Sequence, residues 1–393
     1  MKISVIGTTK PNYTASKEEL EIFSGHNAGV CYMPNSFDDL LNESKKRTQN
    51  RINQTKSSGH HSVYDHANIS LYLEGIPKAL AIVLNNEKQY TTSEKSGRYT
   101  KMSAVGHEKE IYDKWCEKFK VLIKNKYQEK CPTFFTDSRI EKLAQENARY
   151  LLSMFTPSTS MVYTTTYRQL NYLYHFMQKE IQKDDSTQNA FYKKLKPYFV
   201  EFCNIIKENT PYFDEKLNAD SKSRTLSLMS YNTPVQEYFG DVYATSYKTS
   251  FACFAQAIRH RTISYTMNLL KNPEFYVPPI LNNEKDLVKE WLNDCESQKD
   301  EFPTGMLISV NEMGTFDNFV LKMMERKCTF AQLEINNLTN EILAKYVAGL
   351  KATNHPRSKE MESYTKGSRC TFSNYTCLAP CGFVDGITET RLI

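Results

Sequence analysis

The sequence has no long apolar run. Its longest nearly apolar stretch, Gly75 to Leu84, is about half a membrane span and contains Lys78, so no membrane crossing is expected. The opening MKISVIGTTK lacks the apolar stretch and small-residue cleavage site of a signal peptide. The 10 Cys are scattered, too sparse for a secreted disulfide scaffold. Charge of one sign is also scarce. Fifty Lys+Arg against 45 Asp+Glu leave +5 over 393 residues, which is not the basic footprint of a nucleic-acid binder. No P-loop, no G-x-G-x-x-G after a strand, no H-E-x-x-H and no G-x-S-x-G occurs. That argues against Walker-type nucleotide hydrolysis, Rossmann hydride transfer, zinc proteolysis and serine hydrolysis. The expectation is a soluble, reduced, cytoplasmic protein without specific nucleic-acid binding.

What is present is ordinary globular material. Apolar residues make up 40% and charged ones 24%, which excludes wholesale disorder. At about 150 residues per domain the length allows two to three domains. The 25 Tyr and 21 Phe suit planar ligands, but core packing explains them more cheaply. Strands are expected at Met1–Gly7, His66–Glu74 and Met161–Thr166. Helices are expected at Lys17–Phe23, Asp38–Ser57, Pro77–Leu84, Glu108–Lys126, Asp137–Leu152, Arg168–Ile181 and Phe191–Lys207. Asn85–Tyr99 reads as a polar loop, and Thr210–Thr225 as a linker. Beyond it the order repeats. Tyr243–Phe251 is strand-like, Ala252–Arg261 helical, Phe275–Pro279 a turn and Gly305–Val310 a strand, with helices at Met313–Met324 and Ala331–Tyr346. A repeat of about 200 residues implies internal duplication, not a solenoid.

Five groups of residues can carry chemistry. Gly59-His60-His61-Ser62-Val63-Tyr64-Asp65-His66 has poor metal spacing and no Cys or Glu to complete a set, so a polar loop capping a strand is the plainer reading. In Ser93–Lys101, Gly97 permits a tight turn, while Ser96 and Arg98 can point donors at one anion. The alternative is a solvated loop. Gln256 and Arg259 share a face of the expected helix before His260 and Arg261. An anion and flavin clamp and simple helix-dipole pairing explain them equally well. Arg149 and Arg168 each adjoin an apolar segment, where an Arg needs a carboxylate or a bound anion; a surface ion pair is the commoner case. Cys370-x6-Cys377-x3-Cys381, with His355 upstream, lacks paired C-x2-C spacing and reads as a thiol-rich tail in preference to zinc. No metal is expected.

Together these peptides resemble the flavin-dependent thymidylate synthases (the ThyX family), in two tandem copies. The first copy runs through MKISVIGTTKP, Ala28-Gly29-Val30-Cys31-Tyr32, GHHSVYDH, Lys78-Ala79-Leu80, SEKSGRYTKMS, Ala148-Arg149-Tyr150-Leu151-Leu152 and TTTYRQLNYL. The second has QAIRHRTISY, FYVP and Phe330-Ala331-Gln332-Leu333-Glu334-Ile335. The family signature is R-H-R, a short gap, then S-x-R-Y, and here it is split. The first copy keeps Ser96-Gly97-Arg98-Tyr99 and has Asn86-Glu87-Lys88 at its R-H-R end. The second keeps Gln256 and Arg259-His260-Arg261 and lacks S-x-R-Y. The family's Asn-x-Arg is Thr166-Tyr167-Arg168 in one copy and Glu312-Met313-Gly314 in the other.

The resemblance implies an α+β fold of two ThyX-like domains, each a mixed or antiparallel sheet with long helices. The expected division is 1–215, 226–350 and a Cys-containing tail, 351–393. It implies reductive methylation of dUMP to dTMP, with FAD as cofactor and methylenetetrahydrofolate and NAD(P)H as co-substrates. Glu94, Ser96, Gly97, Arg98 and Arg149 would hold the nucleotide from the first copy, and Gln256, Arg259 and Arg326 from the second. Arg98 and Arg259 would also stabilise charge developing on the pyrimidine. FAD would lie against His60, Ser62, Asp65, Arg168, His260 and Arg261. Family members are homotetramers with shared sites, so two such chains would form a homodimer, a pseudo-tetramer. The rivals are an enzyme acting on another pyrimidine nucleotide or transferring hydroxymethyl, and a non-catalytic nucleotide-binding or structural homologue.

Overall fold

A computed structural model describes the chain except residues 11–12, 35, 99, 219–227, 229–232, 379 and 382–390. Tyr99 and residues 219–225 of the expected linker therefore lie outside the described residues. The chain forms two compact units. The first comprises residues 1–95 and 157–226, the second 96–156 and 227–393. This contact-based division differs from the repeat boundaries at 215, 226 and 350, because 96–156 groups with the later half of the chain.

The first unit is built on β1 (Lys2–Thr8), β2 (Asn68–Ile76), β3 (Tyr90–Glu94) and β4 (Thr159–Thr166). They pair antiparallel in the order β1-β2-β4-β3. The period-two pattern of β2 puts Ile69, Leu71 and Leu73 wholly inside. Pro77 caps the helix Lys78–Asn86, whose residues from Ala79 onward are all buried. Two expectations change here. Asp38–Ser57 is two helices, Phe37–Leu41 and Lys45–Ser57; Ser36 caps the first in a capping box with Asp39, and Ser44 precedes the second without a side-chain cap bond. Glu43, in the break, turns to hold Arg51 at 2.7 and 2.8 Å. The stretch Asn85–Tyr99 is no simple loop, since it contains β3.

The second unit repeats that strand order. Its strands are β5 (Tyr238–Phe239), β6 (Val242–Ser250), β7 (Ser264–Leu269) and β8 (Leu307–Thr315), ordered β5-β6-β8-β7 and all antiparallel. The fold is thus α+β with two like sheets. Strand β8 runs on to Thr315, so Met313 is strand and the following helix is Phe316–Arg326. Its N-cap Thr315 sets that boundary, accepting from the Asn318 amide at 3.2 Å. A separate core joins the helices Gly106–Ile123, Asp137–Ala148 and Lys285–Ser297. Both Trp of the chain lie there, Trp115 edge-on to Trp291 with ring centroids 4.9 Å apart. Gly305 marks a close backbone approach, for a Cβ there would sit 2.9 Å from the Tyr150 carbonyl oxygen. Among the described residues no helix is long and apolar enough to cross a membrane.

Candidate active site

In the first unit the expected residues fall into two groups. Glu94 ends β3 with its side chain buried, held by Lys78 Nζ and by Asn85 Nδ2 at 3.0 Å. The other group surrounds a short helical turn, His61–Asp65. Arg168 reaches Asp65 at 2.6 Å, and the Thr166 hydroxyl donates to the same carboxylate at 2.8 Å. Thr166 is also the N-cap of the helix Tyr167–Ile181. Asp65 therefore fixes an arginine at a helix N-terminus, where an anion is favoured. Thr166-Tyr167-Arg168 thus has a structural logic of its own, although it departs from Asn-x-Arg. His60 is half-buried with its Nδ1 against the Tyr32 hydroxyl, and Ser62 is exposed.

The second unit holds both ends of the split signature. The loop Ser96–Arg98 is fixed locally. The Ser96 hydroxyl accepts from the Arg98 amide at 3.3 Å, and its carbonyl accepts from the Thr100 amide and hydroxyl at 3.0 and 2.8 Å. A Cβ on Gly97 would lie 3.2 Å from Met102 and 3.6 Å from Arg149 Cδ. The loop therefore lies against Arg149. Arg98 donates through Nε to Glu146 and through Nη2 to the Phe330 carbonyl. Arg149 follows the helix Asp137–Ala148, and its Nη2 donates to Gln332 Oε1 at 2.9 Å. Gln332 in turn donates to the Tyr150 hydroxyl, which donates to buried Glu334 at 2.8 Å. Burial raises the Glu334 pKa, against donors from Ser250, Tyr150 and Thr249 that lower it. Burial lowers that of Arg149.

The expected helix Ala252–Arg261 ends at Ala257. Past it the chain tightens, with Arg259 N to Gln256 O at 3.3 Å and His260 N to Ala257 O at 3.0 Å. Gln256 and Arg259 hence share a terminal turn, not a continuous helix face. Arg326 bridges the segment. Its Nε donates to His260 Nε2 at 2.8 Å and its Nη2 to the Gln256 carbonyl at 3.1 Å. His260 is turned inward while Arg261 is exposed. Burial, then the charges of Arg326 and Lys322, push the His260 pKa down to about 2. The ring is neutral, accepts at Nε2 and carries its proton on Nδ1. Its observed role is to position Arg326.

Among the buried donors of this unit without an acceptor are Arg149 Nε and Gln256 Nε2, the two that belong to expected site residues. Such groups are costly to leave unmet. The sequence reading had missed Glu146 and Gln332, which orient Arg98 and Arg149. Glu146 lies three residues before Arg149, and Gln332 sits in the quoted peptide Phe330–Ile335; neither spacing reveals its partner. All ten Cys are free thiols. Among the described residues no three His, Cys, Asp or Glu are grouped to hold a metal ion.

His260 makes a pH prediction. The folded ring binds fewer protons than the unfolded one, whose pKa is about 6.5. Its contribution to stability is therefore present above about pH 6.5 and lost as pH falls, by about 1.4 kcal/mol per pH unit. Gln in its place keeps an acceptor for Arg326 and does not titrate. Urea unfolding of His260→Gln should show a shallower loss of stability between about pH 6.5 and 4.5 than the natural protein. Identical slopes would mean that the folded ring is protonated.

Residues 15–188 match the model of a family of thymidylate-synthesis proteins. The family is Thy1, thymidylate synthase complementing protein, the flavin-dependent synthases that the sequence resembles. One similar solved structure is a UMP/dUMP methylase, PolB from Streptomyces cacaoi, bound with 5-Br dUMP. It is 14% identical over 54% of this chain and 96% of its own, with a TM-score of 0.30. Among curated proteins none matches the chain.

Proposed function

We propose that the chain is a flavin-dependent thymidylate synthase-like enzyme that methylates dUMP reductively to dTMP, using methylenetetrahydrofolate and NAD(P)H. The family match supports the reaction class. The observation that carries the proposal further is the gathering of Ser96, Gly97, Arg98, Arg149, Gln256 and Arg326 in one unit, with two buried donors still lacking acceptors. Phosphate oxygens and pyrimidine carbonyls are the acceptors such donors suit. In this reading Arg149 grips the phosphate, Gln256 meets the base, and Arg98 and Arg259 stabilise charge developing on the ring.

The first unit's polar set fits the anionic part of a flavin dinucleotide. Arg168 stands at a helix N-terminus with its plane set by Asp65, and His60 and Ser62 offer further polar atoms. FAD, when bound, would carry the hydride. Two chains as a homodimer complete the proposal.

The test is a fluorescence titration of FAD with flavin-free, full-length protein, with and without dUMP. Saturable quenching that dUMP alters is the expected result, followed by dTMP formation on adding methylenetetrahydrofolate and NAD(P)H. Quenching that dCMP alters and dUMP does not would favour another pyrimidine nucleotide. An absence of quenching under either condition would overturn the flavoenzyme reading in favour of a non-catalytic homologue.

A further inference from the structure

We infer that a cavity in the second unit is a binding site for a phosphate-bearing ligand, built from side chains outside the nucleotide contacts proposed above except for Arg98. The cavity measures about 260 Å³ and is lined chiefly by Arg98, Arg139, Lys142, Glu146, Phe330 and Arg391. That is far more than the roughly 15 Å³ needed for one water. Four of these side chains are cationic and one is anionic.

Arg391 carries the argument. Burial lowers its pKa, Arg98 acts in the same direction and Glu146 opposes them, yet a guanidinium keeps its charge under such pressure. Among the described residues its acceptors are the main-chain oxygens of Ile393 at 3.0 Å and Ala331 at 3.4 Å. The lining carboxylate, Glu146, pairs with Arg98. A half-buried cation that no Asp or Glu side chain meets among the described residues is a natural partner for a bound anion.

The rest of the wall is shaped for the same ligand. Arg139 lies between the rings of Phe134 and Phe330, 4.4 and 4.5 Å from their centroids, which fixes the plane of its fork. The helix Asp137–Ala148 starts at the cavity, where its N-cap Thr136 and Ser138 are lining residues. The positive end of that helix adds to the field. Lys142 follows Ser138 and Arg139 by one turn and so shares their face. Planar guanidinium forks beside a helix N-terminus select the tetrahedral, multiply charged oxygens of a phosphate group. Two sources supply that chemistry. One is a further phosphate of the nucleotide held at Arg98, and the other is a separate phosphorylated ligand.

The probe is inorganic pyrophosphate, titrated calorimetrically into the full chain at low salt. Saturable binding is expected, at least tenfold weaker in Arg391→Gln and severalfold weaker in Lys142→Gln. Repeating the titration with saturating dUMP separates the sources. Competition assigns the cavity to the nucleotide's own phosphates, and undiminished binding assigns it to a second ligand. No binding, or equal affinity in all three proteins, overturns the inference. Lys142 is exposed, so its variant decides the matter even where Arg391→Gln fails to fold. The isotherm needs neither flavin nor folate, so it stands or falls apart from the synthase reading.

Discussion

Lys322→Ala is expected to destabilise the second unit by about 3–5 kcal/mol, the scale for removing one partner of a buried ion pair. Lys322 and Glu312 are both fully buried. The ammonium contacts the two carboxylate oxygens at 2.8 and 2.6 Å. The Tyr243 and Tyr247 hydroxyls donate to the same oxygens at 2.7 and 2.6 Å. Alanine would leave the Glu312 charge inside with two phenols for company. Against a typical total of about 5–15 kcal/mol, that is a large share. The readout is unusually clean. Both Trp lie in the second unit's core, so Trp fluorescence in urea follows this unit alone. A Lys322→Met, Glu312→Gln double variant, which removes both charges, should lie closer to the natural protein than either single change. A loss under about 1 kcal/mol for Lys322→Ala would mean the pair is not buried as described.

Arg98→Ala should weaken dUMP binding by about 1.5–3 kcal/mol, the scale of hydrogen bonds to a charged group. That is roughly a tenfold to hundredfold rise in Kd. The comparison variant is Asn86→Ala, at the corner where the signature is absent. Asn86 is buried, 8% exposed, at the end of the helix Lys78–Asn86, so its loss should lower stability and leave dUMP affinity alone. Equilibrium binding of dUMP to both variants, beside their urea midpoints, checks this. Equal losses of affinity would remove the basis for a composite site in which the two copies contribute different halves.

The central strands were legible because they alternate. Ile69, Leu71 and Leu73 announce β2 without help. The missed strands, β3, β5 and β7, all lie at sheet edges. Tyr90–Glu94 is mostly Thr, Ser and Glu, and its pairing with β4 comes from a partner about 70 residues away. An edge strand with one partner needs no apolar face of its own. The site shows the same limit. Arg98, Arg149, Gln256 and Arg259 were singled out because their residue types and spacing match a known pattern. Glu146, Gln332 and Arg391 were not. Their roles come from long-range contacts, with Arg149 meeting Gln332 across 183 positions. The inward turn of His260 was likewise invisible, since only packing decides whether a ring faces a ligand or holds its neighbour.

The interruption of the first unit by residues 96–156 sets an order of synthesis. As the chain emerges, residues 1–95 wait for 157–226 before their sheet closes, because β3 and β2 pair with β4. The intervening stretch, with its helices and Trp115, has no finished core to join until residues beyond 227 supply Trp291 and Leu281. During translation it is a hydrophobic passenger of a completed neighbour, and the loop Ser96–Arg98 rides with it. A ribosome stalled near residue 226 would thus hold a closed first sheet and an unsatisfied Trp115 helix, a species open to chaperone capture. No single cut of the chain separates the two units, so each must be studied within the whole.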